Sequence, residues 1–61
     1  MEQYRLLRLK EVERRTGLKK TQIYSLMKMK DFPTSIKIGK TSVAWLEQEI
    51  NDWIVSKLAN R

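Results

Sequence analysis

TGLKKTQIYSLMK, residues 16–28, decides how this chain folds. It sets a glycine directly before a short run whose apolar and polar residues fall on opposite sides of a helix. Advancing 100° per residue from Lys20 puts Ile23, Leu26 and Met27 on one face and Thr21, Tyr24, Ser25 and Lys28 on the other. One face can pack; the other can meet something polar. Upstream, residues 9–16 (LKEVERRT) carry their own apolar pair, Leu9 and Val12, so the order is helix, tight glycine turn, helix. This is the pattern of a helix-turn-helix, in which the second helix enters the DNA major groove and its N-terminal residues face base edges and phosphates. Here that end carries Lys19, Lys20, Thr21 and Gln22. Two amphipathic helices of a small core would read the same way, so charge has to choose between the two.

The chain has 13 Lys and Arg against 7 Asp and Glu, a net charge of +6. The excess is uneven. Residues 1–45 hold eleven basic residues and four acids, a balance of +7, whereas residues 46–61 come to −1. Lysine also serves solubility, but a basic motif region beside a near-neutral tail is the electrostatic footprint of a nucleic-acid binder, because cations that neutralise phosphates release condensed counterions.

Composition narrows the alternatives. At 61 residues the chain is expected to be a single domain, residues 1–61, near the smallest size that folds without staples. With no Cys and no His it lacks thiolate and imidazole ligands and a proton shuttle near neutral pH, so neither a metal nor another cofactor is expected. Glu47, Glu49 and Asp52 fall on different sides of a helical projection and form no acid/base pair, and no glycine-rich phosphate loop is present; an enzyme is not expected. The N-terminus MEQYRLLRLKEV has no apolar signal region and no run approaches a membrane span, so the expected location is the cytoplasm, with the nucleoid, and no membrane contact.

Pro33 ends the second helix by about Lys30. The period then becomes two: Ile36 and Ile38 flank Lys37, Val43 and Trp45 flank Ala44, and GKTS lies between, giving a two-stranded hairpin with a basic tip at Lys40 and Thr41. The face with both isoleucines, Val43 and Trp45 is expected on the core. From Leu46 the period returns to 3.6, and Leu46, Ile50, Trp53, Ile54 and the stem of Lys57 share an arc of roughly 100° on a C-terminal helix. In so small a chain that stripe, with Trp45 and Trp53, is expected to close the core.

TGLKKTQIY, DFP, IGKTSVAW and LEQEINDWI, in this order and at these spacings over about residues 6–58, resemble the AlpA family of phage-type regulators. The resemblance implies a mainly α fold with a small β-hairpin, a winged helix-turn-helix related to MerR-type regulators and phage excisionases, with a two-stranded wing and a C-terminal helix. It implies action on prophages or genomic islands, either as a transcriptional regulator, for example of an integrase gene, or as an excisionase-like recombination directionality factor. Carried over by position, it makes Lys20, Thr21, Gln22, Tyr24 and Ser25 the recognition-helix contacts and Lys40 and Thr41 the wing contacts. Lys19, Lys28 and Lys37 complete the expected DNA-binding set. Two departures stand out. Lys19 occupies a position where related helices often have Ser or another small residue, which forfeits a side-chain N-cap of about 1 kcal/mol. Gln22 stands where Thr is common, which would alter base preference rather than fold.

The expected partner is double-stranded DNA, bound by a chain that is monomeric in solution and loads cooperatively on repeated sites. A second reading is a protein-interaction module that binds and inhibits a recombinase or another regulator through the C-terminal helix. A protein partner does not require +7 on the motif half, which favours DNA.

Overall fold

The computed structural model describes residues 3–61; Met1 and Glu2, the first two positions of the expected domain, lie outside the described residues. The elements run β1 (Leu6–Leu7), α1 (Leu9–Thr16), α2 (Lys20–Lys28), β2 (Ile36–Lys37), β3 (Val43–Leu46) and α3 (Glu47–Ala59). The molecule is mainly helical, three helices around a small antiparallel sheet of order β1-β3-β2.

The glycine turn forms as its residues dictate. Gly17 adopts the left-handed conformation (φ 77°) that ends α1, and its N–H donates to the Glu13 carbonyl at 2.8 Å. The Thr16 hydroxyl donates to the Val12 carbonyl at 2.8 Å and accepts from the Leu18 N–H at 3.2 Å, so the turn is fixed from both sides. At the far end of α2 the chain closes the same way without a glycine. Lys30 takes φ 59°, its N–H donates to the Met27 carbonyl at 3.0 Å, and the Asp31 N–H reaches the Leu26 carbonyl at 2.8 Å, a complete Schellman closure.

The core is Leu7, Val12, Ile23, Phe32, Trp45 and Ile50, with Leu9, Leu18, Leu26, Met27, Val43, Trp53 and Ile54 packed around it. Val12 and Ile23, each fully buried, are the inward residues of the two motif helices. No buried polar residue occurs among the described residues.

Three expectations are corrected. The sheet has three strands, not two: Leu6 pairs with Leu46 and Leu7 with Trp45, and the Glu47 N–H extends the pairing to the Arg5 carbonyl at 2.8 Å. The isoleucines do not share the core face with Trp45. Ile36 is opposite Ala44 and Lys37 opposite Val43, and since successive residues of a strand face opposite ways, Ile36 and Ile38 stand on the other side of the sheet, 40% and 44% exposed. Leu46 ends β3 and only caps α3, and Trp53 is half-buried rather than core, while Val55 and Leu58 on the same helix are exposed. Among the described residues no helix is long and apolar enough to cross a membrane.

Candidate nucleic-acid interface

The interface expected from sequence rests on α2 and on the hairpin tip. Ile23 anchors α2 inward, and Lys19, Lys20, Thr21, Gln22, Tyr24, Ser25 and Lys28 are all exposed. Lys37, Lys40 and Thr41 are exposed on the hairpin, whose loop is closed by the Ile38 N–H donating to the Ser42 carbonyl at 3.0 Å. Gly39 in that loop does not adopt a positive φ, and a Cβ there would meet the Ser42 Cβ at an ordinary 3.5 Å. The loop therefore does not depend on glycine as the Gly17 turn does.

Tyr24 ties the two parts together. Its ring meets Trp45 of β3 edge to face, centroids 6.2 Å apart at 62°, yet the residue remains 38% exposed. One side of the ring is packing between α2 and the sheet, and the remainder faces solvent.

Gln22 has a structural part that sequence reading missed. Its Oε1 accepts the Lys19 backbone N–H at 2.9 Å, one half of a capping box. The other half is chemically closed, because an ammonium has no lone pair with which to accept from the helix; Lys19 makes no side-chain cap. Gln at the third helical position was the visible signal.

The charges divide into two groups. Those of α1 are largely engaged with acids: Arg14 meets Glu11 at 2.9 Å, and Arg15 reaches Glu11 at 3.2 Å and Glu47 of α3 at 3.0 Å. Hydrogen bonds from Arg15 first and Arg14 second hold the Glu11 carboxyl below its ordinary pKa. In contrast Lys19, Lys20, Lys28, Lys37 and Lys40 form no ion pair with any described residue, as is also true of Arg5, Arg8, Lys10, Lys30 and Arg61. A cleft of about 430 Å³ at the elbow of the motif adds Lys10 and Arg14 beside Lys19. Those two α1 cations, one turn apart, were outside the expected set, although their i,i+4 spacing placed them on one face.

The family model described as "Prophage CP4-57 regulatory protein (AlpA)" matches residues 5–58. An uncharacterized ORF88 protein of Enterobacteria phage P4 is 37% identical over 59 residues, covering 97% of this chain and 67% of its own. The DNA-binding transcriptional activator AlpA of Escherichia coli (strain K12) is 36% identical over 56 residues, 82% of this chain and 80% of its own.

Proposed function

The chain belongs to the AlpA family of prophage regulatory proteins, and from that premise we propose that it is a sequence-specific double-stranded DNA-binding regulator. The observation that carries this reading is the placement of unpaired cations: Lys19, Lys20, Lys28, Lys37 and Lys40 are exposed and without acidic partners among the described residues, and they lie along α2 and the β2–β3 hairpin. A surface that keeps such charges unneutralised is prepared for phosphates, which supply most non-specific DNA affinity.

In this reading residues 1–61 are one winged helix-turn-helix domain. Helix α2 enters the major groove with Thr21, Gln22, Tyr24 and Ser25 toward base edges, and the hairpin is the wing, setting Lys37, Lys40 and Thr41 against the adjacent backbone or minor groove. The chain acts in the cytoplasm as a transcriptional regulator, for example of an integrase gene, or as an excisionase-like directionality factor. It is a monomer in solution that loads cooperatively on repeated sites.

The test is selection of a cognate duplex from a random pool, followed by salt-titrated anisotropy with the parent and Thr21→Ala. Phosphate neutralisation predicts log K falling linearly with log salt, by about 0.9 per phosphate contacted. Thr21→Ala should weaken cognate binding by about 1–3 kcal/mol and leave random DNA unaffected. Affinity independent of salt would remove DNA as the partner; equal losses on both duplexes would remove Thr21 from base reading.

A further inference from the structure

A second surface of the molecule carries the opposite charge. Between the end of α2 and α3 lies a groove of about 460 Å³ with Phe32, Pro33 and Trp53 as its apolar floor, its rim carrying the carboxylates of Asp31, Glu49 and Asp52 against the single ammonium of Lys30. Contrary to the expectation that Glu47, Glu49 and Asp52 scatter around the helix, Glu49 and Asp52, three residues apart on α3, line the same groove; both are exposed, and neither forms an ion pair or side-chain hydrogen bond with any described residue. Glu49 lies in the first turn of α3, where the helix dipole favours it, but like charges one turn apart repel each other, so the dipole does not account for Asp52 beside it. The net negative charge of this rim is unfavourable for phosphates.

The floor is held rigid. The Trp53 indole Nε1–H donates to the Asp31 carbonyl at 2.8 Å, and the ring meets Phe32 edge to face with centroids 4.8 Å apart. The same corner already holds one cation: the Lys57 ammonium lies 3.7 Å from the Asp31 carboxylate and 5.4 Å from the centroid of the Trp53 ring. The chain's own lysine thus displays the chemistry the groove selects, a cation placed between an aromatic ring and a carboxylate.

We propose that this groove docks an arginine-bearing segment of a partner protein. Arginine fits better than lysine, because a planar, weakly hydrated guanidinium can lie against the indole while its fork of donors meets the carboxylates of Glu49 and Asp52. The apolar floor favours a side chain with a long hydrocarbon stem over a hydrated ion. This adds a protein contact to the DNA-binding reading and does not depend on it.

The experiment titrates the ¹⁵N-labelled full chain with acetylated tetra-arginine amide and follows the two indole Nε1–H resonances. A protein of net charge +6 has no general attraction for a polycation, so saturable binding requires a local acidic site. The Trp53 resonance should move saturably while that of the fully buried Trp45 stays in place. Glu49→Gln with Asp52→Asn should weaken the peptide about tenfold without changing the melt, tetra-lysine should bind several-fold more weakly, and Lys57→Met should tighten binding by vacating the ring. No movement of Trp53, or equal affinity in the carboxylate variant, overturns the proposal. So does a Trp53 shift that depends on protein concentration alone and vanishes in the carboxylate variant, because the occupant is then a second copy of this chain. DNA affinity of the carboxylate variant should equal or exceed that of the parent, so either reading can fail without the other.

Discussion

The segment at residues 31–33 and the outer face of α2 are near neighbours in sequence and opposite in how they use their polar atoms. Both indoles of the chain converge on the first: Trp45 donates to the Pro33 carbonyl at 3.1 Å, Trp53 donates to the Asp31 carbonyl at 2.8 Å, and Phe32 is buried between. The DFP motif is therefore a strap held at both ends, joining the end of α2 to β3 and to α3. On the outer face of α2, Lys20, Thr21, Ser25 and Lys28 are exposed and no side-chain bond to another described residue engages them. Residues that hold this fold have their hydrogen bonds already made, whereas residues offered to a partner have theirs still to make. Substitution in the first region should thus read out in stability, and in the second in binding.

The largest expected effect breaks the strap. Trp45→Ala removes a fully buried side chain and leaves the Pro33 carbonyl without its donor, which should cost about 3–5 kcal/mol, comparable to the total stability of so small a domain. No cooperative thermal melt should remain. Trp53→Ala, with a half-buried ring on the lip of the strap, should cost about 2 kcal/mol and keep a cooperative melt at lower temperature. Equal losses at the two positions would mean that burial does not separate them and that α3 is as central to the core as β3.

A smaller effect tests the turns on either side of α2, each of which passes through a left-handed residue. Gly17 has φ 77° and open space where a Cβ would stand, so Gly17→Ala is penalised by backbone conformation alone, by about 1 kcal/mol. Lys30 carries that strain already at φ 59°, and Lys30→Gly should stabilise the fold by a similar amount. Gly39→Ala, at ordinary φ and with only van der Waals contact to Ser42, is the neutral control. Chemical denaturation of the three variants checks the signs. A destabilised Lys30→Gly would show that the side chain of Lys30 contributes more than its conformation costs.

The motif helices, the hairpin and the C-terminal helix were legible because each has a clear period, and Gly17, Pro33 and Gly39 punctuate all but the last. What was not legible lay where local pattern carries no information. Leu6 and Leu7 form a two-residue strand too short to show alternation, and they are leucines, without the β-branch that marks a strand; pairing with Leu46 and Trp45 alone makes them one. Ile36 and Ile38 alternate correctly, but alternation cannot say which face of a strand is inward, and the register with Ala44 set the other one. The exposed residues of α2 were readable from the helical projection. The sequence leaves Tyr24 two readings, exposed contact or packing between this helix and the hairpin, and its ring contact with Trp45 favours the second in part; the bond from the Lys19 N–H to Gln22 had Gln at the third helical position as its only sign.

Gln22 stands on the boundary between the two regions, and it gives the finest test of the distinction. Its Oε1 already accepts the Lys19 N–H, a bond that orients the amide and leaves the oxygen one lone pair, so the Nε2–H₂ is the group most free to meet DNA. Bidentate pairing with an adenine needs both groups, so it has to share the Oε1 with the cap or release it. Gln22→Ala should accordingly lower stability by about 0.5–1 kcal/mol through the lost bond, and reduce the cognate-to-random binding ratio by no more than about tenfold, the value of a single bond. Gln22→Glu separates the two roles more sharply. A carboxylate accepts the Lys19 N–H as well as an amide does and is favoured in the first turn by the helix dipole, so the melt should stay level or rise by about 0.3–1 kcal/mol. In the proposed complex the same carboxylate would face phosphates and could not donate to a base, so binding should fall on cognate and random DNA alike. A Gln22→Ala variant that melts like the parent yet loses about a hundredfold of its cognate preference would place Gln22 wholly on the binding side, its cap bond exchanged for a bidentate contact.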